Sequence, residues 1–119
     1  MELKKFKKNQ VIFKQGDYET FMYDIRWGSV GIYENYGEKN ERLLRELRAD
    51  DMFGEMGLVE ARPRSATAVS LEKDTQCVMI TNDDFASYFQ DKPAKIVAIM
   101  QRMSQRIRDL SDEVARLSK

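Results

Sequence analysis

Charged and small residues follow one another in the middle of this chain in an order that suits anion binding. Gly54 and Glu55 open a short segment of helix-compatible residues that Pro63 ends, and Arg64 and Ser65 follow at once. Unsatisfied backbone N–H groups at the start of such a helix attract negative charge, because the free donors and the helix dipole act in the same direction. The order therefore predicts a helix N-terminus, a carboxylate and a guanidinium around one small space.

The two charged side chains favour different groups on a single ligand. Arg64 can make a bidentate contact suited to a phosphate. Glu55 only accepts hydrogen bonds when it is ionised, so it repels a phosphate and suits a hydroxyl a few ångströms away. Together they predict a ligand that carries a phosphate and a hydroxyl on one ring. The alternative is an ordinary surface ion pair between Glu55 and Arg64, worth at most about 1 kcal/mol.

The stretch from Asp51 to Thr67 resembles the phosphate-binding cassette of the cyclic nucleotide-binding domain family, which includes the bacterial catabolite activators. The Gly-Glu pair, the small and apolar residues after it and the Pro-Arg-Ser-Ala run stand with the family's spacing, and the resemblance extends over nearly the whole chain. It implies a cyclic nucleotide whose ribose hydroxyl contacts Glu55 and whose phosphate contacts Arg64. The residues that it assigns to the ligand are Gly54, Glu55, Met56, Gly57, Arg64, Ser65 and Ala66. Ser65 resembles the serine of the bacterial activators, which favours cAMP and leaves cGMP as the alternative.

Composition narrows the classes of function. The 119 residues are enough for a single domain, 1–119, and the 20 basic and 20 acidic residues cancel. Net charge therefore gives no reason to expect nucleic acid or acidic lipid as a partner. The chain has no histidine, which removes imidazole bases, Ser-His and Cys-His pairs and the commonest metal ligand. We expect no enzyme, no catalytic residue, no metal and no cofactor beyond the nucleotide ligand.

The single cysteine and the lengths of the apolar runs indicate where in the cell the protein is expected. Cys77 is the only cysteine and lies in the apolar run Cys77–Ile80, so we expect it to be buried and unpaired. A lone thiol and the absence of a signal sequence favour a reducing cytoplasm. The longest wholly apolar run, Ile96–Met100, is too short to span a bilayer, so no membrane segment is expected.

Two alternating segments predict half-buried strands. Residues 21–27 alternate strictly, which predicts one buried face made of Phe21, Tyr23, Ile25 and Trp27. In the segment from Glu41 to Arg48 the expected inward residues are Leu43 and Leu47, with Leu44 opposing them.

Several short strands at regular spacing, separated by glycine and polar turns, favour a mainly β fold. We predict an antiparallel jelly roll, a double-stranded β-helix, over about residues 1–81, with the cassette at 53–67. C-terminal helices are predicted over about 82–119.

The last predicted helix runs from Pro93 to the end of the chain. Its apolar residues recur at spacings of four and three, which is a heptad stripe: Ile96, Met100, Met103, Ile107, Leu110, Val114 and Leu117. The part from Ile107 to Leu117 extends beyond what a small sandwich can cover. We therefore predict a homodimer through residues 96–117, with a helix folded back on its own domain as the alternative.

The resemblance also gives this helix a role at the ligand. In the bacterial activators a Thr-Ser pair in mid-helix meets the base, and the matching positions here are Leu110 and Ser111. Ser111 keeps one polar contact, whereas Leu110 offers only apolar cover, a departure that bears on base selectivity.

The favoured function is a cyclic nucleotide sensor in which ligand entry orders the C-terminal helix and changes how two copies pair. Two alternatives stay open. One is the sensor domain of a transcription regulator whose DNA-binding helices lie downstream, since nothing in this chain is suited to a DNA groove. The other is a degenerate domain kept for dimerisation.

Overall fold

The computed structural model describes residues 2–55 and 63–118. The chain divides into two compact units, Met1–Phe85 and Ala86–Lys119, which are described one at a time. The predicted ligand residues Met56 and Gly57, and most of the predicted short helical segment between Gly54 and Pro63, fall in residues 56–62, which lie outside the described ranges.

The first unit is built from two four-stranded sheets. The described strands are β1 (Glu2–Phe6), β2 (Val11–Phe13), β3 (Met22–Trp27), β4 (Ser29–Glu34), β5 (Arg42–Arg48), β6 (Met52–Phe53), β7 (Thr67–Ser70) and β8 (Thr75–Ile80). One sheet has the order β1-β8-β3-β6 and the other β2-β7-β4-β5, and every pairing is antiparallel. Each of these strands contributes at least one side chain to a common hydrophobic core. The predicted jelly roll is confirmed.

The turn between β3 and β4 depends on a glycine. Gly28 has φ +87°, a conformation that residues with a Cβ rarely adopt. A Cβ at this position would also lie 2.9 Å from the Cα of Thr75 on β8. The close approach of the two backbones lets β3 turn directly into β4 beside the start of β8.

Strand β3 differs from the predicted pattern at its end. Tyr23 and Ile25 lie in the core, as expected, and Phe21 packs against it. Trp27, however, is 61% exposed, so its predicted place on the buried face is wrong. Ile25 pairs with Cys77 and Trp27 with the adjacent Gln76, so β3 carries an extra residue that shifts its register. A bulge of this kind turns the following side chain to the other face.

Strand β5 shows the same effect. Leu47 is buried, as predicted, but Leu43 is 47% exposed and its predicted inward position is wrong. The pairing of β4 with β5 shifts between Ile32 and Tyr33, which face Arg45 and Leu43 respectively and leave Leu44 as the extra residue. Because β5 is also the edge strand of its sheet, side chains before the bulge have less to pack against.

The second unit is helical. Helix α1 (Asn82–Phe89) begins in the first unit and ends in the second, and α2 (Pro93–Leu117) follows with proline at its start. The predicted long helix from Pro93 is confirmed. Five residues of its heptad stripe are each more than half exposed: Met100, Ile107, Leu110, Val114 and Leu117. No helix among the described residues is long and apolar enough to cross a membrane.

Cys77 gives the core a measurable pH dependence. The side chain is fully buried, as predicted, and burial raises the pKa of its thiol from 9.0 to about 12, with the carboxylate of Asp24 adding to the shift. The unfolded chain therefore releases this proton at a lower pH than the folded chain does. The stability that the thiol contributes is complete below about pH 9 and is lost as the pH rises toward about 12.

We expect the unfolding free energy of the wild type to fall relative to that of Cys77→Ala as the pH rises above about 9. Urea titrations of both proteins from about pH 8 to about pH 10.5 measure the difference, and the alanine variant cancels the contributions of tyrosine and lysine. A difference that stays constant over this range would contradict an inaccessible, protonated thiol.

Candidate functional site

Arg64 is fixed to the loop between β2 and β3 through its backbone. Its N–H donates to the carbonyl of Asp17 at 2.7 Å, and its own carbonyl accepts from the N–H of Gly16 at 2.8 Å. The loop is itself held, because Lys14 N–H donates to the Asp17 carboxylate and Gln15 N–H donates to the Thr67 hydroxyl, each at 2.9 Å. Arg64 therefore has a defined backbone position within the cassette.

The guanidinium of Arg64 is turned inward, and the residue is only 7% exposed. Nη1 donates to the carbonyl of Gly54 at 2.9 Å, and Nη2 donates to the carbonyl of Phe21. The guanidinium carbon lies 4.2 Å from the centre of the Phe13 ring, in a cation–π contact. Three separate segments thus hold one head group.

An aromatic cluster of Phe13, Tyr23 and Phe53 lies beneath the arginine. Tyr23 and Phe53 stack with their ring centres 5.0 Å apart, and Phe13 lies 6.0 Å from Tyr23 and 5.9 Å from Phe53. The pKa of Tyr23 is raised to about 12, first by burial and then by the negative charge of Glu19, while the positive charge of Arg64 opposes the shift. Tyr23 therefore stays neutral and lies in the electric field of both charged residues.

Glu19 forms an ion pair with Arg64 from the same loop. Its Oε1 lies 3.5 Å from Nη2, and the Glu19 side chain is 25% exposed whereas that of Arg64 is 5% exposed. Within residues 2–55 and 63–118, neither Glu19 Oε1 nor Arg64 Nε has a hydrogen-bond partner, although both atoms are buried. A buried polar group left unsatisfied costs about 1–3 kcal/mol. As far as the described residues go, the guanidinium of Arg64 therefore has one N–H donor without a partner.

Gly54 has two reasons to be glycine. Its φ is +78°, and a Cβ built there would lie 3.0 Å from Arg64 Nη1. The backbone must also come close enough for its carbonyl to accept from that same nitrogen. The closeness of Arg64 therefore explains why a glycine stands at this position near the start of the cassette.

The other predicted residues lie in different surroundings. Glu55 and Arg64 are each only 7% exposed. The alternative prediction, an ordinary ion pair between them on the surface, is therefore wrong. Ser65 is exposed and Ala66 is buried. Leu110 and Ser111 lie on α2 in the second unit, and both are exposed. Their contact with a base stays a prediction.

A protein-family model matches most of this chain. The model of the family described as "Cyclic nucleotide-binding domain" matches residues 3–92. The chain belongs to the cyclic nucleotide-binding domain family. The resemblance seen in the cassette is thereby confirmed.

Named relatives agree with this assignment. The chain is 28% identical over 113 residues to the cyclic AMP receptor protein of Thermus thermophilus, covering 95% of this chain and 52% of that protein. It is 31% identical over 108 residues to Rap guanine nucleotide exchange factor 3 of Rattus norvegicus, covering 83% of this chain and 11% of that protein. The crystal structure of the Thermus thermophilus catabolite activator protein superposes with a TM-score of 0.79 at 27% identity, over 98% of this chain and 55% of that one. The domain thus spans about half the length of the first relative.

Sequence reasoning missed two side chains of this cyclic nucleotide-binding domain, Phe13 and Glu19. Phe13 sits in a short apolar run and Glu19 in a polar loop, and both positions have an ordinary structural explanation. Nothing local indicates that either meets Arg64, because the contact arises only when the loop after β2 is hydrogen-bonded to the backbone of Arg64. In the described part of the chain, no group of three or more His, Cys, Asp or Glu side chains is placed to hold a metal ion.

We expect Gly54→Ala to destabilise the domain more than Gly37→Ala does. Both glycines have positive φ, but a Cβ at Gly37 meets nothing within 4 Å, whereas at Gly54 it would press on Arg64. Backbone strain at positive φ should lower the free energy of unfolding by about 1 kcal/mol in each variant. Displacement of Arg64 should lower it by about 1 kcal/mol more in Gly54→Ala. Urea unfolding measures both, and equal losses would contradict the close contact.

Proposed function

We propose that this domain binds a cyclic nucleotide, namely cAMP, through Arg64, and that binding controls the pairing of α2 with the same helix of a second copy. The observation that carries the proposal is the buried guanidinium of Arg64, which is held by two carbonyls and an aromatic ring. Its Nε–H has no hydrogen-bond partner in the described part of the chain. A cyclic phosphate brings one negative charge and acceptor oxygens, and it would satisfy that donor. A cytoplasmic location accords with the free thiol of Cys77.

The remaining cassette residues fit the same ligand. Glu55 follows Gly54 directly and is buried, so an ionised carboxylate there is suited to accept a hydrogen bond from a ribose hydroxyl. Ser65 is exposed beside the arginine and offers a hydroxyl to the phosphate. In this proposal Arg64 binds the phosphate and Glu55 binds the ribose hydroxyl, as the sequence predicted.

The choice of cAMP over cGMP has two supports. Ser65 stands where the resemblance to the bacterial activators favours cAMP. A relative that matches nearly the whole chain is named a cyclic AMP receptor protein. Calorimetric titration of the purified domain with cAMP and with cGMP tests the choice, and tighter binding of cGMP would overturn it. Binding of neither would contradict the sensor proposal and favour the dimerisation alternative.

Arg64→Leu should lower the affinity for cAMP by about a hundredfold or more, because the phosphate loses its charged partner inside a largely buried site. Arg48→Leu is the matched control, since Arg48 is an exposed arginine on β5 whose ion-pair partner is Glu46. Isothermal titration calorimetry measures both variants. Unchanged affinity in Arg64→Leu would refute the assignment, and thermal unfolding of each variant separates lost binding from lost folding.

The proposed dimer rests on the exposed stripe of α2. Large apolar residues at a and d positions form a stripe that is unfavourable to expose to water. Covering it with the identical stripe of a second helix in a coiled coil removes this apolar surface from water and is favourable. Ile107, Leu110, Val114 and Leu117 are all more than half exposed in the single chain. A second copy is therefore the proposed occupant of this face.

Ile107→Glu combined with Val114→Glu should convert the dimer to a monomer, because two carboxylates would have to be buried in the seam. Gln101→Glu combined with Ala115→Glu adds the same charge one position away from the stripe and should leave the dimer intact. Sedimentation velocity measures the assembly state. Identical behaviour of the two double variants would contradict pairing through the stripe.

Coupling between the ligand and the helix is measured on the same proteins. A ligand shifts an equilibrium only by its different affinity for the two states, so cAMP must protect α2 if it favours the paired state. Hydrogen exchange in residues 93–117 should slow in the wild type at saturating cAMP and not in the seam variant. Exchange that ignores saturating nucleotide would count against the coupling.

A further inference from the structure

Glu19 occupies an unusual position for an acidic residue, because it lies against the cation that is proposed to hold an anionic ligand. Its Oε1 is 3.5 Å from Arg64 Nη2, and its side chain is the more exposed member of the pair. Within the described residues that oxygen is buried and accepts no hydrogen bond. This oxygen therefore lies close to the guanidinium and has no hydrogen bond to another described residue.

The loop that carries Glu19 is held at both sides of the residue. Before it, the turn at Gly16 and Asp17 is hydrogen-bonded to the backbone of Arg64. After it, the carbonyl of Phe21 accepts from Arg64 Nη2. A carboxylate bracketed in this way keeps its negative charge near the arginine, and the electric field that it adds is part of the site.

The charges of the site then set a limit on the ligand. Arg64 carries one positive charge, and its ion-pair partner Glu19 cancels it when both are ionised. A singly charged phosphodiester can use the donors of the guanidinium at modest electrostatic cost. A phosphate monoester carries about −1.5 to −2 charges at pH 7, and Glu19 repels the charge that Arg64 does not offset.

We propose that Glu19 is a specificity-determining residue that restricts this site to singly charged phosphodiesters and rejects doubly charged phosphate monoesters such as 5′-AMP. The inference rests on the proposed function, since it concerns the ligand of the same arginine. It assigns to Glu19 the discrimination of the cyclic nucleotide from its own hydrolysis product, which has the same base and sugar and differs in ring closure and charge.

The magnitude follows from Coulomb's law in a partly buried site. At the effective dielectric constant of about 20 that is typical near a protein surface, one additional unit charge within about 12 Å of Glu19 changes the affinity by about tenfold or more, and tenfold corresponds to about 1.4 kcal/mol. Glu19→Gln removes the charge and keeps the size of the side chain and a carbonyl oxygen beside Arg64. Glu19→Asp keeps the charge.

The test compares four proteins with three probes by competition calorimetry. The proteins are the wild type, Glu19→Gln, Glu19→Asp and the control Glu46→Gln, which removes a carboxylate from the exposed pair with Arg48 on β5. The probes are cAMP, 5′-AMP and the methyl ester of 5′-AMP, which is acyclic and singly charged. We expect Glu19→Gln alone to raise the affinity for 5′-AMP relative to cAMP by about tenfold. The ratio of methyl ester to cAMP should stay the same in all four proteins.

Three results would overturn the inference. In the first, Glu19→Gln changes the affinities for cAMP and 5′-AMP by the same factor, which would mean that Glu19 only positions Arg64. In the second, the methyl ester gains as much as 5′-AMP, which would mean that ring closure and not charge is discriminated. In the third, Glu46→Gln has the same effect as Glu19→Gln. Failure of the wild type to bind cAMP is distinct from these results, because it overturns the proposed function itself together with the inference.

Discussion

The confinement of one guanidinium inside a β-roll is the constraint on which the site depends. Arg64 is only 7% exposed, and a buried cation is stable only when its donors and its charge find partners. Here the partners come from the carbonyls of Gly54 and Phe21, the carboxylate of Glu19 and the face of Phe13. Among residues 2–55 and 63–118 its Nε–H has no hydrogen-bond partner, so the arginine is held firmly and still has a donor for a ligand.

The jelly roll makes this arrangement possible because residues distant in the chain come together around the guanidinium. Phe13 ends β2, Phe21 immediately precedes β3 and Gly54 follows β6, which pairs with β3. Antiparallel pairing brings these ends into one region, and the aromatic rings of Phe13, Tyr23 and Phe53 fill the space beneath the arginine. The same core that stabilises the first unit therefore also orients its most important polar side chain.

Periodicity predicted the strands well and their faces less well. The alternation of residues 21–27 located β3 and placed Tyr23 and Ile25 correctly, yet Trp27 is exposed. Leu43 on β5 departs in the same way. In both cases one extra residue in the ladder reverses the side that the neighbouring side chains face. A sequence with a strict period of two contains no signal for such a bulge, because the bulge is decided by the partner strand.

The amino-acid sequence by itself determined the jelly roll, the long C-terminal helix, the family and the buried Cys77, because these follow from local periodicity, turn residues and a motif whose residues are close in the chain. It also indicated that Arg64 is the central residue of the cassette. Only the tertiary structure decided which groups surround that arginine, since backbone hydrogen bonds between the loop after β2 and Arg64 bring Phe13 and Glu19 to it. Contacts of this kind depend on how distant segments pair, and that pairing leaves no pattern in either segment alone.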